Sequence, residues 1–134
     1  MKKRLVLMFL MVLMLITACG KGNKISEDDL KKYGQLSNTA IEYATNGDYK
    51  NYIGMCNDTM KNAIDETKFK QVNELINNKG GIVEYGKVEG FYMEDKASKE
   101  EQITIIQEVK HEKGKNIYTV SFSKNGQLSG FYVK

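Results

Sequence analysis

Tyr118-Thr-Val-Ser-Phe122-Ser-Lys-Asn125-Gly126-Gln-Leu-Ser-Gly130-Phe-Tyr-Val133 decides the fold. Asn-Gly between two runs rich in β-branched and aromatic residues is a strong hairpin signal, because both residues tolerate the positive φ of a two-residue type I′ turn. Pairing Lys124 with Gln127 puts Phe122 opposite Ser129, Val120 opposite Phe131 and Tyr118 opposite Val133, all on one apolar face. A slip of one residue would set polar against apolar positions throughout.

Working upstream, Lys113-Gly114 reads as a second two-residue loop. It sets Val109 opposite Tyr118, Gln107 opposite Val120 and Ile105 opposite Phe122, which carries the same face onto a third strand. A fourth β-rich run begins at Ile82 and is separated from the third by Asp95-Lys-Ala-Ser-Lys99, so four strands joined as a meander are expected. Gly86, Gly90 and Gly130 fall inside strand patterns, where such residues mark bulges or sharp curvature. The opposite face mixes Thr119, Ser121, Glu108 and Lys110 with Ile106, Ile117 and Tyr132.

The first half is helical. Ser26 ahead of Glu27, Asp28 and Asp29 supplies a capping hydroxyl, followed by acids at the positive end of a helix. Leu30, Tyr33, Leu36, Ser37, Ala40, Ile41 and Ala44 then recur at three- and four-residue steps until Asn46-Gly47 stops the helix. Asp48 caps a shorter helix reaching about Cys56, and Asp58 or Thr59 starts another turn or two. Thr67 opens a helix bearing Phe69, Val72, Leu75 and Ile76, which ends at Asn78-Lys-Gly80-Gly81. Amphipathic helices and one apolar sheet face imply an α+β domain, with N-terminal helices packed on one face of a curved, about four-stranded antiparallel sheet. A curved sheet wrapped on a helix makes a cone.

Outward again, residues 1–18 read as an export signal: Lys2, Lys3 and Arg4 precede an uncharged run from Leu5 to Ala18. That run is shorter than the roughly 20 apolar residues a spanning helix requires. Ile16-Thr-Ala-Cys19 resembles the lipobox of bacterial lipoproteins, which implies cleavage before Cys19 and thioether linkage of its sulfur to diacylglycerol. Two or more acyl chains make attachment effectively stable. Residues 19–25 then form a lipidated tether and 26–134 a single domain, held on the extracytoplasmic face of the cell membrane. Lys21, Lys24, Lys31 and Lys32 stand close enough to meet anionic lipid, or are simply solvated.

The 134-residue chain less residues 1–18 leaves 116, enough for one modest core. Three of the 20 basic residues and none of the 17 acidic ones lie in the signal, so the remainder is formally neutral. Neutrality argues against nucleic acid, which requires many phosphate-neutralising side chains. With Cys19 committed to lipid, Cys56 has no partner for an internal disulfide. It shares a helical face with Tyr49, Tyr52 and Ile53 and reads as a buried small hydrophobe, the alternatives being a reactive thiol or an intermolecular bridge.

Tyr43-Ala-Thr-Asn-Gly47-Asp-Tyr49, the helical stretch from Met60 to Ile76 and the closing run 118–133 together resemble a bacterial domain family of unknown function within the cystatin-like, nuclear-transport-factor-two-like superfamily. The resemblance implies a helix-plus-curved-sheet cone, dimerisation through the exposed sheet face and a hollow that in some members holds a ligand. It implies no reaction. Enzymes of that superfamily place an Asp with His or Tyr inside the cone, and no such pair is evident. His111, the chain's single histidine, stands beside the Lys113-Gly114 turn where solvent is expected.

No catalytic residue, metal ligand or cofactor is therefore assigned. Gln107 breaks the apolar face, where its amide must find partners: a ligand in a small, partly apolar pocket with Tyr33, Tyr52 and Tyr118, or else a helix terminus or a bulge. Ile106, Ile117 and Tyr132 on the exposed face imply a second copy or an envelope protein as partner. The leading expectation is a non-catalytic binding or dimerisation domain. The alternative is an enzyme or accessory domain using the hollow for proton transfer, with a tyrosine and an acid such as Asp65 or Glu42.

Overall fold

A computed structural model describes residues 23–94 and 99–134; the signal segment, Cys19 and most of the first expected strand connection lie outside the described residues. Four helices precede four strands: α1 (Glu27–Asn46), α2 (Tyr49–Met55), α3 (Asp58–Ala63), α4 (Glu66–Asn77), then β1 (Ile82–Glu94), β2 (Glu101–His111), β3 (Gly114–Ser123) and β4 (Leu128–Val133). The strands form one antiparallel meander in the order β1-β2-β3-β4. This is the expected α+β arrangement, helices layered on one face of an open sheet.

Local chemistry sets the helix ends. Ser26 accepts from Asp29 N, and Gly47 closes α1 at φ 71° with its N–H donated to Tyr43 O. Asp48 caps α2 as expected, whereas Asn57 caps α3 and Asp65 caps α4, one or two residues ahead of the sequence reading. In both cases an Asn or Asp side chain nearer the preceding loop takes the free N–H groups. The carbonyls at the end of α1 are met from α4, where Asn73 Nδ2 donates to Ala44 O (2.8 Å) and Thr45 O (3.0 Å), and Asn77 Nδ2 to Thr45 O (3.1 Å).

The core lies between α1 and the inward face of the sheet. Ala40, Ile41 and Ala44 meet Ile105, Val109, Tyr118, Val120, Phe122 and Leu128, all fully buried. Tyr33 packs its ring on Phe122, and Tyr52 lies between Phe69 and Phe131.

Both hairpins depart from the expected pairing. At Asn125-Gly126 the loop has three residues, with Ser123 N donating to Gln127 O and Gly126 N to Ser123 O. Only Gly126 takes a positive φ, at 83°, while Asn125 spends its side chain on Ser123 Oγ and Gln127 N. A type I turn with one left-handed residue thus replaces type I′. The extra residue is absorbed by a bulge at Ser129, so Phe122 faces Leu128 rather than Ser129, while the Val120–Phe131 and Tyr118–Val133 pairs hold.

Between β2 and β3 the loop is Glu112-Lys113, and His111 pairs with Gly114. The register is therefore two residues from the expected one: Gln107 faces Tyr118, Ile105 faces Val120 and Ile103 faces Phe122. A shift of two leaves every side chain on its own face. Contacts from the α4–β1 loop select it, for Glu112 N donates to Gly81 O, Lys113 N to Lys79 O, and Gly81 N to Glu112 Oε1 at 2.7 Å.

Of the three strand glycines, Gly86 lies in a bulge of β1 and Gly130 beside the Ser129 bulge. Gly90 sits in regular pairing and serves a different end: a Cβ there would lie 2.5 Å from Ile25 Cδ1. Just before α1, Asn23 to Ile25 pair with the free edge of β1, Tyr92 N donating to Asn23 O and Ile25 N to Gly90 O. Edge strands left bare invite pairing with other chains, and this segment covers part of one.

Candidate functional site

The polar groups in the core gather at the end of the sheet where α1 stops. His111 is 1% exposed, not solvated as the sequence implied, because it shares the inward face with Gln107 and Val109 and the α4–β1 loop docks against it through Gly80 O. Its Nδ1 lies 2.9 Å from Gly80 O and its Nε2 2.8 Å from the Tyr118 hydroxyl. A carbonyl can only accept, so Nδ1 carries a proton, and in the tautomer with the proton there Nε2 accepts from the Tyr118 O–H. Asn116 Nδ2 donates to the same hydroxyl oxygen at 3.2 Å, and Thr45, whose own hydroxyl donates to Ile41 O, lies beside it. Burial raises the Tyr118 pKa, partly offset by the neighbouring Asn116 and Thr45. The cluster joins α1, the α4–β1 loop, β2 and β3 through one phenol.

Gln107 is 2% exposed, with its amide spent on backbone: Nε2 donates to Gly86 O (3.1 Å), Lys87 O (3.4 Å) and Glu108 O (2.8 Å). Those first two carbonyls belong to the β1 bulge, where ladder bonds are interrupted, so a side-chain donor replaces the missing strand partner. Of the residues named for a pocket, Tyr33, Tyr52 and Tyr118 share the inward side with Gln107 and are packed among other core side chains. An open depression of about 400 Å³, lined by Glu100, Glu101, Ser123, Lys124 and Asn125, lies at the opposite end of the sheet and contains none of the four.

The acids considered for proton transfer are placed as follows. Asp65 caps α4 through Lys68 N at 2.8 Å. Glu42 is exposed and accepts from the Tyr85 hydroxyl at 3.2 Å. Burial and this neighbouring carboxylate both raise the Tyr85 pKa, which keeps the phenol protonated.

Cys56 is fully buried and donates its S–H to Tyr52 O, in line with the reading of a small core hydrophobe. Burial pushes its thiol up from 9.0 to about 11, against a smaller lowering by Lys61. The folded chain thus holds this proton more tightly than the unfolded chain, and raising the pH from 9 to 11 favours unfolding. For one proton the loss is at most about 1.4 kcal/mol per pH unit. Urea melts of wild type and Cys56→Ala should show the stability advantage of the wild type shrinking over this window; an advantage that stays constant would contradict the assignment.

On the outer face, Ile106 pairs with Thr119 and Thr119 with Tyr132, while Ile117 stands opposite Glu108. Tyr132 is 72% and Ile117 39% exposed, and Ile106 is half-buried. Ile106 and Tyr132 thus flank Thr119 in one cross-strand row, and Ile117 stands two residues along β3 on the same face, beside the Lys115–Glu108 ion pair (2.6 Å). Nothing in the described residues covers Tyr132.

No helix among the described residues is long and apolar enough to cross a membrane. The fold is shared with the NMR structure of a protein from Ruminococcus gnavus ATCC 29149, at a TM-score of 0.67 and 18% identity over 81% of this chain and 90% of that one. A search of curated proteins finds no match. Residues 37–131, from the middle of α1 into β4, match DUF3887, a family of proteins of unknown function, and the chain belongs to that family.

Proposed function

We propose that this chain is a lipoprotein, fixed to the extracytoplasmic face of the cell membrane through Cys19 and displaying a non-catalytic domain that associates with a second copy of itself. The observation that carries this reading is the run Ile16-Thr-Ala-Cys19 behind a basic cap and a short apolar core, four residues before the chain pairs with the sheet at Asn23. A binding role rather than catalysis is supported by the use of the inward polar groups. Gln107 serves a bulge, His111 and Tyr118 serve each other and Gly80, and the acid facing Tyr85 is open to solvent. Kinship with the cystatin-like superfamily belongs to the same proposal and is supported by the helix-on-sheet layering.

Identical anchors hold every copy at one height, so the face bearing Ile106, Ile117 and Tyr132 on one molecule meets the same face on its neighbour. Pairing by a self-complementary patch is the commonest way in which identical chains associate. Anchoring is tested with Cys19→Ser in the full chain: the wild type should fractionate with membranes and resist a salt wash, and the variant should be released or remain unprocessed. Retention of a processed Cys19→Ser chain in the washed membrane would refute the reading. For pairing, the detergent-solubilised wild type should sediment as a dimer, with Tyr132→Lys shifting it to monomer. A wild type that stays monomeric at high concentration would remove the dimer.

A further inference from the structure

Asn23–Ile25 is a short antiparallel strand on the edge of β1, and it has a direction. Asn23 pairs at Tyr92 and Ile25 at Gly90, so the strand, followed from Ile25 back to Asn23, points toward Glu94 and the end of the sheet that bears the β3–β4 turn. Ile25 packs against the core over Gly90, which leaves it room by lacking a side chain. Beside it, the Tyr92 hydroxyl donates to Asp29 in the first turn of α1 and closes the junction from the other side. The tether is thus part of the fold up to Asn23.

We infer that the domain stands upright on the lipid surface, with the β3–β4 turn and the residues entering β2, including Lys99, Glu100, Glu101 and Lys124, against the headgroups and the His111–Gly114 hairpin outermost. This rests on the proposed lipidation of Cys19. From Cys19 to Asn23 there are four Cα steps, at most about 14 Å when extended. Along β2, from Ile103, which pairs with Tyr92, to His111 there are eight residues, about 27 Å of strand. Four extended steps from Cys19 are therefore shorter than the distance to the far hairpin, and the strand from Ile25 to Asn23 points away from that hairpin. Both sheet faces then look sideways along the membrane, which directs Ile106, Ile117 and Tyr132 toward a neighbour on the same bilayer. The outermost turn carries Lys113, with Lys110 and Lys115 flanking it.

The test uses the full-length lipidated chain in vesicles of phosphatidylglycerol and phosphatidylethanolamine that contain a headgroup-labelled acceptor lipid. Single cysteines replace Lys99, Lys124 or Lys113, all exposed, and are coupled to a donor dye; Cys56 is buried. Energy transfer from positions 99 and 124 should exceed that from 113 several-fold. In Gly90→Ala the new methyl collides with Ile25 Cδ1 and Cγ1 at 2.5 and 2.9 Å, which displaces Ile25 from its seat over the core and loosens the tether from the edge, so the difference should shrink while unfolding remains cooperative. Equal transfer from all three positions, or a larger signal from 113, overturns the orientation while leaving Cys19-dependent anchoring intact. A difference that survives Gly90→Ala undiminished overturns the strand as its cause. Membrane retention of a processed Cys19→Ser chain overturns the anchoring and the orientation together.

Discussion

Tyr118→Phe is expected to lower the unfolding free energy by about 2–4 kcal/mol, and the melting temperature by roughly 10–20 °C, although only one oxygen is removed. That oxygen bonds His111 Nε2 and Asn116 Nδ2 where neither can reach water, His111 being 1% and Asn116 3% exposed. Each group left buried and unpaired costs about 1–3 kcal/mol, more than an exposed hydrogen bond is worth. Tyr52→Phe makes the same chemical change with the opposite expectation. The Tyr52 hydroxyl is equally buried and has no hydrogen-bond partner among the described residues, so its removal should cost nothing or stabilise by up to about 1 kcal/mol. Urea melts of the two variants at constant m-value report the difference directly. If Tyr52→Phe proves as damaging as Tyr118→Phe, the buried cluster is not what holds this end of the sheet.

Gly80→Ala should cost about 2–4 kcal/mol through two terms that can be separated. Gly80 sits at φ 81°, where a side chain is strained by about 1–2 kcal/mol. Its new Cβ would also lie 2.9 Å from Glu112 Cβ, an atom too near the backbone to swing away. Displacing Glu112 loosens the contacts that select the β2–β3 register, among them Glu112 Oε1 with Gly81 N and Lys113 N with Lys79 O, and it disturbs the carbonyl that His111 holds. Gly126→Ala is the control: its φ is 83°, but none of the described residues lies within 4 Å of the added carbon, so only the conformational term of about 1–2 kcal/mol applies. Amide exchange should additionally quicken in the β2–β3 hairpin of Gly80→Ala and remain unchanged there in Gly126→Ala. Equal losses in both variants, with no change in exchange, would show that docking of this loop contributes nothing.

Much of the architecture is legible along the chain because it is set by short-range chemistry. Ser26, Gly47 and Asp48 mark helix ends through groups within four residues of them, and the stripe from Tyr33 to Ala44 records a face that is buried as expected. The alternation in β2 and β3 separates inward from outward side chains correctly. The candidate site was less legible. Gln107 stood out as a polar residue on an apolar face, but its partners, Gly86 and Lys87, lie about twenty positions earlier in the chain. His111 was misplaced for a comparable reason: Gly80 is 31 residues away, and no pattern around the histidine reports it.

Helix ends, the identity of the two sheet faces, the α+β class and the lipobox resemblance before Cys19 were all decided by sequence alone, since each depends on neighbours a few residues apart or on a period of 3.6 or 2. Strand register, the burial of His111 and the pairing of the tether with β1 were decided by tertiary structure. A strand's pattern repeats every two residues, so it cannot distinguish pairings that differ by two. Only the contacts of Lys79, Gly80 and Gly81 with the hairpin, made across the fold, select between them.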